Sequence, residues 1–440
     1  GDGALTGGMA FEALNNLSDL NANVLVIIND NQMSIDPNIG GLEKHFRKTL
    51  SDDKNLFENI GLQFVGSVDG NNVAELKSVL ENQRSKKGVR VLHCRTKKGK
   101  GYFPSETGDS TVWHAPGKFD KITGERFLNA SEFPKKYQDV FGESLVNLAK
   151  ENQDIVAITP AMMTGSSLVQ FKESYPERFF DVGIAEQHAV TFSAGLAANG
   201  MRPYCVIYSS FLQRGYDQVI HDVALQNLPV VFCIDRAGLV GADGSTHHGA
   251  FDVSFLRCIP NLTIMSPLNE QELVNMLYSA QKKYIGPVAI RYPRGKGVMK
   301  NQVREPQLIE LGKGQQIKEG KEIVVLSFGA IGNEVIDATQ QLSARRMEVA
   351  HFDMRFVKPI DEQILHDVFS NYSSIITIED GAIKGGIGSK ILEFKEKHNY
   401  TSKVKVMGLP DQFIEHGTKE ELNEEVGLNA NSIIRIIEGL

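Results

Sequence analysis

Apolar runs of strand length alternate with stretches of helical period along the 440 residues, and this alternation limits the fold more than any other feature. Met9, Ala10, Ala13, Leu14 and Leu17 recur at helical spacing between Thr6 and Leu17, and Val24-Leu25-Val26-Ile27-Ile28 then reads as a buried strand. Leu56 to Ile60 begins a helix, Gln63 to Val68 is a strand, Val73 to Gln83 an amphipathic helix, and Val89 to Cys94 a buried strand. The pattern restarts with helix Tyr137 to Lys150. It continues through strand Ile155 to Thr159, a helix over 184–199, strand Tyr204 to Tyr208, a helix over 214–226, strand Val230 to Asp235 and strand Val288 to Tyr292. A third round holds strand Ile323 to Phe328, a turn at Gly329 and Gly332, helix Glu334 to Leu342, and strands Glu348 to Asp353 and Ser374 to Glu379. Such alternation implies an α/β chain with mostly parallel sheets. Three domains are expected, at 1–118, 137–305 and 306–440, with a connector over 119–136 punctuated by Gly124 and Pro134. No short-period repeat argues for a solenoid.

The net charge of −7 disfavours non-specific nucleic-acid binding, so an anionic ligand has to be met by local cations. Cys94, Cys205, Cys233 and Cys258 lack C-x-x-C spacing, which disfavours zinc and a disulfide framework and fits buried thiols in a reducing cytoplasm. No apolar run approaches the ~18 residues of a membrane span. A soluble, cytoplasmic protein is expected. The chain starts at Gly1 rather than at Met and enters a functional turn at once, so a missing upstream segment is expected.

That turn is Gly1-Asp2-Gly3-Ala4, and Asn29-Asp30-Asn31-Gln32-Met33 follows one helix and one strand later. Asp2 and Asn31 thus fall at two loop mouths, where open parallel sheets hold ligands. A carboxylate, an amide oxygen and a backbone carbonyl are hard donors suited to Mg²⁺, whose other ligands are water and phosphate. The neighbouring glycines let backbone N–H groups approach a phosphate. The bland alternative is a tight turn with Asp2 as helix N-cap and Asn31 in a turn of its own.

Longer strings sharpen the reading: SIDPNIG at 34–40, TKKGKGY at 96–102, DVGIAEQHAVTFSAGLA at 181–197, YSSFLQRGYDQVIHDV at 208–223, DRAGLVGADGSTHHGAFD at 235–252 and RYPRG at 291–295. With GDG and NDN, they make nearly the whole chain resemble the 1-deoxy-D-xylulose-5-phosphate synthases, a family of the transketolase-like, thiamine diphosphate-dependent group. In that family a sizeable segment precedes the GDG turn, and a longer excursion lies where this chain has only the polar stretch between Gly40 and Leu56.

The resemblance implies roles residue by residue. Asp2, Asn31 and Met33 become ligands of Mg²⁺; Gly3, Ala4 and Asn31, with Lys97 or Lys98, approach the diphosphate of thiamine diphosphate. Glu186 becomes the carboxylate that hydrogen-bonds the aminopyrimidine ring and favours its imino form. Phe211 becomes the ring stacked on that pyrimidine, with Tyr208 and Arg214 facing the substrate channel. Arg236 and Arg294 become a clamp on a substrate phosphate, Asp243 a contact to substrate hydroxyls, His247 the proton handler, and His114 a histidine near the cofactor. Read without the family, Glu186 complements a helix dipole, Phe211 is core, the lysines are a solvated run, and the arginines are salt-bridge partners. Asp243 and His247 lie in a loop too polar for core, which favours function. The turn Lys384-Gly385-Gly386-Ile387-Gly388 has the form of a phosphate seat but reads as structural.

The implied activity is a homodimeric transferase that condenses pyruvate with glyceraldehyde 3-phosphate for isoprenoid synthesis. Transketolase is the nearest rival, and a pyruvate dehydrogenase β-type subunit fits less well because both half-sites share one chain. A folded, silent fragment is the alternative from another class.

Overall fold

The computed structural model describes residues 1–47, 55–127 and 133–440, so the centre of the short 40–56 stretch and part of the connector lie outside the described residues. Two compact units result: Gly1–Ala130 with Thr159–Thr164 and Asp181–Ala185, and the rest of the chain.

The first unit holds a three-stranded parallel sheet of β1 (Val24–Asp30), β2 (Gln63–Asp69) and β3 (Val89–Arg95) in the order β1-β3-β2. The central strand β3 is buried from Arg90 to Cys94, as a strand covered on both faces should be. Leu14, Ile28, Phe46, Phe57 and Val91 form one core cluster against it. Helix α1 (Gly8–Asp19) begins later than its apolar period suggests, because a 3₁₀ turn over Gly3–Thr6 precedes it. Of its apolar stripe only Leu14 is buried, and Met9 is 67% exposed. Helix α2 (Val73–Gln83) is capped by the Asn72 side chain accepting from the Glu75 N–H.

The second unit carries two sheets. The larger uses β4 (Ile155–Thr159), β5 (Phe179–Asp181), β6 (Arg202–Tyr208), β7 (Val231–Ala237), β8 (Thr263–Met265) and β9 (Val288–Pro293). The smaller uses β10 (Gln315–Lys318), β11 (Ile323–Phe328), β12 (Ala350–Asp353), β14 (Ser374–Ala382) and β15 (Lys403–Leu409), in the order β10-β12-β11-β14-β15. Between β12 and β14 the chain makes β13 (Phe356–Lys358), which leaves its sequence neighbours and pairs antiparallel with β8. The larger sheet therefore reads β13-β8-β9-β7-β6-β4-β5. Strands β4, β7 and β9 are buried at every residue, which explains their unbroken apolar runs. Every other described pairing in the two sheets is parallel except β10 with β12.

Helices α3 (Tyr137–Glu151), α4 (Glu186–Ala198), α5 (Asp252–Arg257), α6 (Glu270–Lys282), α7 (Gly332–Ala344) and α8 (Ile387–Lys397) cover these sheets. The helix expected over 214–226 is not regular. It passes from a 3₁₀ turn at Gln213–Gly215 through Tyr216–Gln218 into a π stretch at Val219–Ala224. Gly215 sits where a Cβ would stand 3.1 Å from Val190, so close packing on α4 sets the path, and apolar period alone does not distinguish these windings. Helices α5 and α6 and strands β5, β8, β10, β13 and β15 have no counterpart in the sequence reading.

Candidate functional site

In the first unit the GDG turn is tied to the end of β1. The Asp2 N–H donates to the Asn29 carbonyl at 3.0 Å. Asp2 Oδ2 accepts from the Gln32 N–H at 2.8 Å and from Asn38 Nδ2 at 2.7 Å. Asp2 makes no side-chain cap bond to the following turn; its Oδ2 is turned to the second loop. Asn31 does turn on itself, Oδ1 accepting from the Met33 N–H at 3.0 Å, which leaves one lone pair of that oxygen for another partner. Gly3 is needed here, since a Cβ would meet Asn38 Oδ1 at 3.0 Å and Ser34 at 3.1 Å. Ala4 is exposed, its N–H directed to the Gly1 carbonyl.

Beneath Asp2 lies a group that the sequence reading missed. Asp30 is buried and its Oδ2 meets His93 Nε2 at 2.8 Å, while His93 Nδ1 meets Ser67 Oγ at 2.7 Å. Burial, then the neighbouring Asp30, raises the Asp2 carboxyl above its usual range, whereas the His93 and Asp2 hydrogen bonds hold Asp30 below its own despite burial. Strand pairing brings these residues together: β1 sets Ile28 opposite His93, and β2 sets Ser67 opposite the same histidine.

The two lysines separate. Lys98 Nζ donates to the Ser34 carbonyl at 2.7 Å, lies 3.0 Å from His114 Nδ1, and sits in the field of Asp36 and Asp2. Lys97 instead pairs with Glu106 at 3.3 Å in the open.

In the second unit the candidates cluster at the carboxyl ends of β6, β7 and β9 and at the start of α4, the ligand edge of a parallel sheet. Glu186 is 3% exposed, and its Oε2 accepts from Arg214 Nη1 at 2.6 Å. Burial raises its carboxyl above the ordinary range, against its own backbone N–H and Arg214. A desolvated acid with one cationic partner is able to share a proton with a neighbouring base.

Four side chains contact one another in sequence. The Arg236 guanidinium lies 4.2 Å over the Tyr208 ring, Tyr208 stacks on Phe211 at 5.3 Å, and His247 meets Phe211 edge-on at 5.4 Å. Arg236 is held at a φ of +63° and pairs with the fully buried Asp235, whose carboxyl burial pushes up to about 6. Arg294 pairs with Asp243 and also donates to the Val240 carbonyl at 2.9 Å. Asp243 is exposed and His247 half-buried, both on the Gly238 to Gly249 loop.

A second ionic group was also unread. Arg291 on β9 is 1% exposed and bonds Asp252 of α5 at 3.0 Å and Asp380 of β14, joining the two sheets. The turn Lys384 to Gly388 is occupied from within, since Glu379 Oε1 accepts from the Gly388 N–H at 3.1 Å. A Cβ on Gly386 would overlap that carboxylate. The structural reading of this turn thus has a physical cause.

Among the described residues, no helix is long and apolar enough to cross a membrane, and no three His, Cys, Asp or Glu side chains gather as a metal cluster.

Comparison with known proteins gives this geometry a family. The profile of the 1-deoxy-D-xylulose-5-phosphate synthase family matches 1–55 and 43–96, that of the transketolase pyrimidine binding domain 134–299, and that of the transketolase C-terminal domain 312–433. Proteins named 1-deoxy-D-xylulose-5-phosphate synthase from Cytophaga hutchinsonii and Parabacteroides distasonis are 48% and 47% identical, covering 100% and 99% of this chain and 76% and 75% of their own lengths. Among solved structures, a split-gene transketolase superposes with a TM-score of 0.63 at 27% identity over 69% of this chain and 97% of its own. Transketolase from Campylobacter jejuni superposes at 0.60 over 99% of this chain and 76% of its own; at 18% identity it speaks for the fold alone. The chain belongs to the 1-deoxy-D-xylulose-5-phosphate synthase family, on a transketolase-like α/β fold.

Proposed function

We propose that this chain is a transferase dependent on thiamine diphosphate and Mg²⁺. It decarboxylates pyruvate and joins the two-carbon fragment to glyceraldehyde 3-phosphate, forming 1-deoxy-D-xylulose 5-phosphate for isoprenoid synthesis. The observation that carries the reading is the Asp2 carboxylate, turned from its own helix onto the Asn29 to Met33 loop. Two adjoining buried carboxylates, Asp2 and Asp30, fit a hard divalent cation.

Asp2, Asn31 and the Met33 carbonyl would hold Mg²⁺, Gly3 and Ala4 would face the diphosphate, and Lys98 rather than Lys97 would answer its charge. Thiamine diphosphate, when bound, supplies the acidic thiazolium carbon and the electron sink that decarboxylation and carbon–carbon bond formation require. Glu186 holds a proton at its carboxyl for the aminopyrimidine nitrogen, and Arg214 orients that carboxyl. Phe211 offers the ring face on which the pyrimidine stacks. Arg236 and Arg294 bind the acceptor phosphate with planar forks, Asp243 orders its hydroxyls, and His247 delivers a proton to the aldehyde oxygen as it becomes an alcohol. We place the domain limits at 1–118, 137–305 and 306–440, and the enzyme in the cytoplasm as a homodimer.

The test is release of labelled CO₂ from carboxyl-labelled pyruvate. Release that requires both thiamine diphosphate and Mg²⁺ and rises with glyceraldehyde 3-phosphate supports the reading. Ketol transfer between sugars without CO₂ moves the chain to transketolase; a folded chain that does neither is a silent fragment.

A further inference from the structure

The Gly238 to Gly249 loop carries Asp243 and His247, and it is closed at its base by two backbone bonds. The Gly238 N–H donates to the Gly249 carbonyl at 2.9 Å, and the Gly249 N–H donates back at 2.8 Å. Within the loop one residue is held by both of its backbone groups. The Val240 carbonyl accepts from Arg294 Nη1 at 2.9 Å, and the Val240 N–H donates to His248 Nδ1 at 3.1 Å. His248 Nε2 lies 3.2 Å from the Glu415 carbonyl, in the segment that follows β15. Both partners of His248 are backbone groups of fixed sense, so only the tautomer with the proton on Nε2 satisfies them. The ring is 5% exposed, too buried for either bond to pass to water without loss. The same face is pressed close elsewhere, because a Cβ on Gly244 would come within 3.2 Å of His416.

We propose that His248 is a positioning residue for the acceptor substrate: it fixes the Val240 backbone, and through it Arg294 and Asp243, against the segment around Glu415. The proposal rests on the acceptor role given above to Arg294. His247 and His248 are adjacent and chemically alike, yet their work differs. His247 is half-buried against Phe211, whereas His248 faces away into the loop's anchorage. Because His248 touches no reacting group, its replacement is expected to change where the phosphate is held, not the steps before the acceptor arrives.

Glutamine carries one acceptor and one donor on its terminal amide, spaced much as the two ring nitrogens are, and so restores both bonds. His248→Gln is expected to keep KM for glyceraldehyde 3-phosphate within about threefold of wild type. His248→Leu is expected to raise that KM about tenfold, with pyruvate KM and thiamine diphosphate affinity within about twofold. Unphosphorylated glyceraldehyde separates the cause: it should lose little in His248→Leu, because it offers Arg294 no phosphate. Equal losses for both acceptors, a matched rise in pyruvate KM, or a glutamine variant no better than leucine would each overturn the proposal. Amide hydrogen exchange supplies a readout independent of turnover. His248→Leu should accelerate exchange across 239–249 and 412–418, and glutamine should reverse it; unchanged exchange refutes the anchorage. Where leucine prevents folding, His248→Asn, too short to span both partners, takes its place. A folded wild type that shows no acceptor-dependent release of CO₂ would instead sink the functional reading, and with it the acceptor role of His248.

Discussion

Two glycine-rich turns that precede helices are alike on paper and opposite in the folded chain. At Gly1-Asp2-Gly3 the carboxylate belongs to the turn itself, leaves the helix uncapped, and joins a second loop beside another buried acid. At Lys384 to Gly388 the carboxylate comes from Glu379, five residues upstream of the turn, and fills the helix end. The first turn brings two buried carboxyls side by side. The second already holds a carboxyl of its own. A glycine turn therefore says that backbone N–H groups are available, and the tertiary partner decides whether they are free. Glu186 is a third carboxylate at a helix start, and it is neither cap nor filler: it pairs with Arg214 while burial raises its proton affinity.

The largest effect tests that third case. Glu186→Ala is expected to lower turnover about a thousandfold, with thiamine diphosphate affinity within about tenfold. Steady-state rates and cofactor titration measure the two separately. Retained turnover would return Glu186 to the role of a dipole partner. Asp2→Ala should next lower Mg²⁺-dependent cofactor affinity about a hundredfold, read by calorimetry. An unchanged affinity would make the first turn as self-contained as the second.

The alternation of strands and helices was legible because buried parallel strands need unbroken apolar runs, as in β4, β7 and β9. What stayed illegible was set by pairing across distance. Strand β13 is three residues long and joins a sheet whose other strands end more than sixty residues earlier, so no local signal marks it. The site divides in the same way. Asp2, Asn31, Glu186 and Phe211 stand in dense motifs, whereas Asp30 with His93, and Arg291 with Asp380, meet only through strand register or packing. The lysine pair was readable as a pair, but only the fold turns Lys98 toward Asp2 and Lys97 toward Glu106.

The filled turn makes a prediction with a sign. Glu379 is 1% exposed and its carboxyl stands at about 7, raised by burial against the bonds from Gly388 and Ile387. Below the unfolded carboxyl's 4.5 both states hold the proton. As pH rises from there the unfolded chain sheds it first, so folded stability falls until the folded group also ionises near 7. Wild type should therefore lose about 2 kcal/mol relative to Glu379→Gln between pH 5 and pH 8, a shift discounted for relaxation around the charge. Denaturant unfolding at the two pH values measures it. The difference between the two proteins isolates Glu379 from Asp353, another buried acid that titrates near 7. Equal differences at both pH values would mean that the seat holds an ionised carboxylate throughout.

The smallest effect separates neighbours within the first unit. Lys98 is partly desolvated, donates to the Ser34 carbonyl, and lies in the field of Asp2 and Asp36. A charged hydrogen bond to a diphosphate in such a place is worth about 1.5 kcal/mol, so Lys98→Ala should weaken thiamine diphosphate binding about tenfold. Lys97 is half-exposed and already paired with Glu106 in solvent, where an ion pair contributes little, so Lys97→Ala should change binding less than about twofold. Raising the salt concentration sharpens the contrast, since screening weakens an exposed charge more than a partly buried one. If the two variants weaken binding equally and with the same salt dependence, the diphosphate answers to the net charge of the strip. The hydrogen-bonded placement of Lys98 would then have no part in holding it.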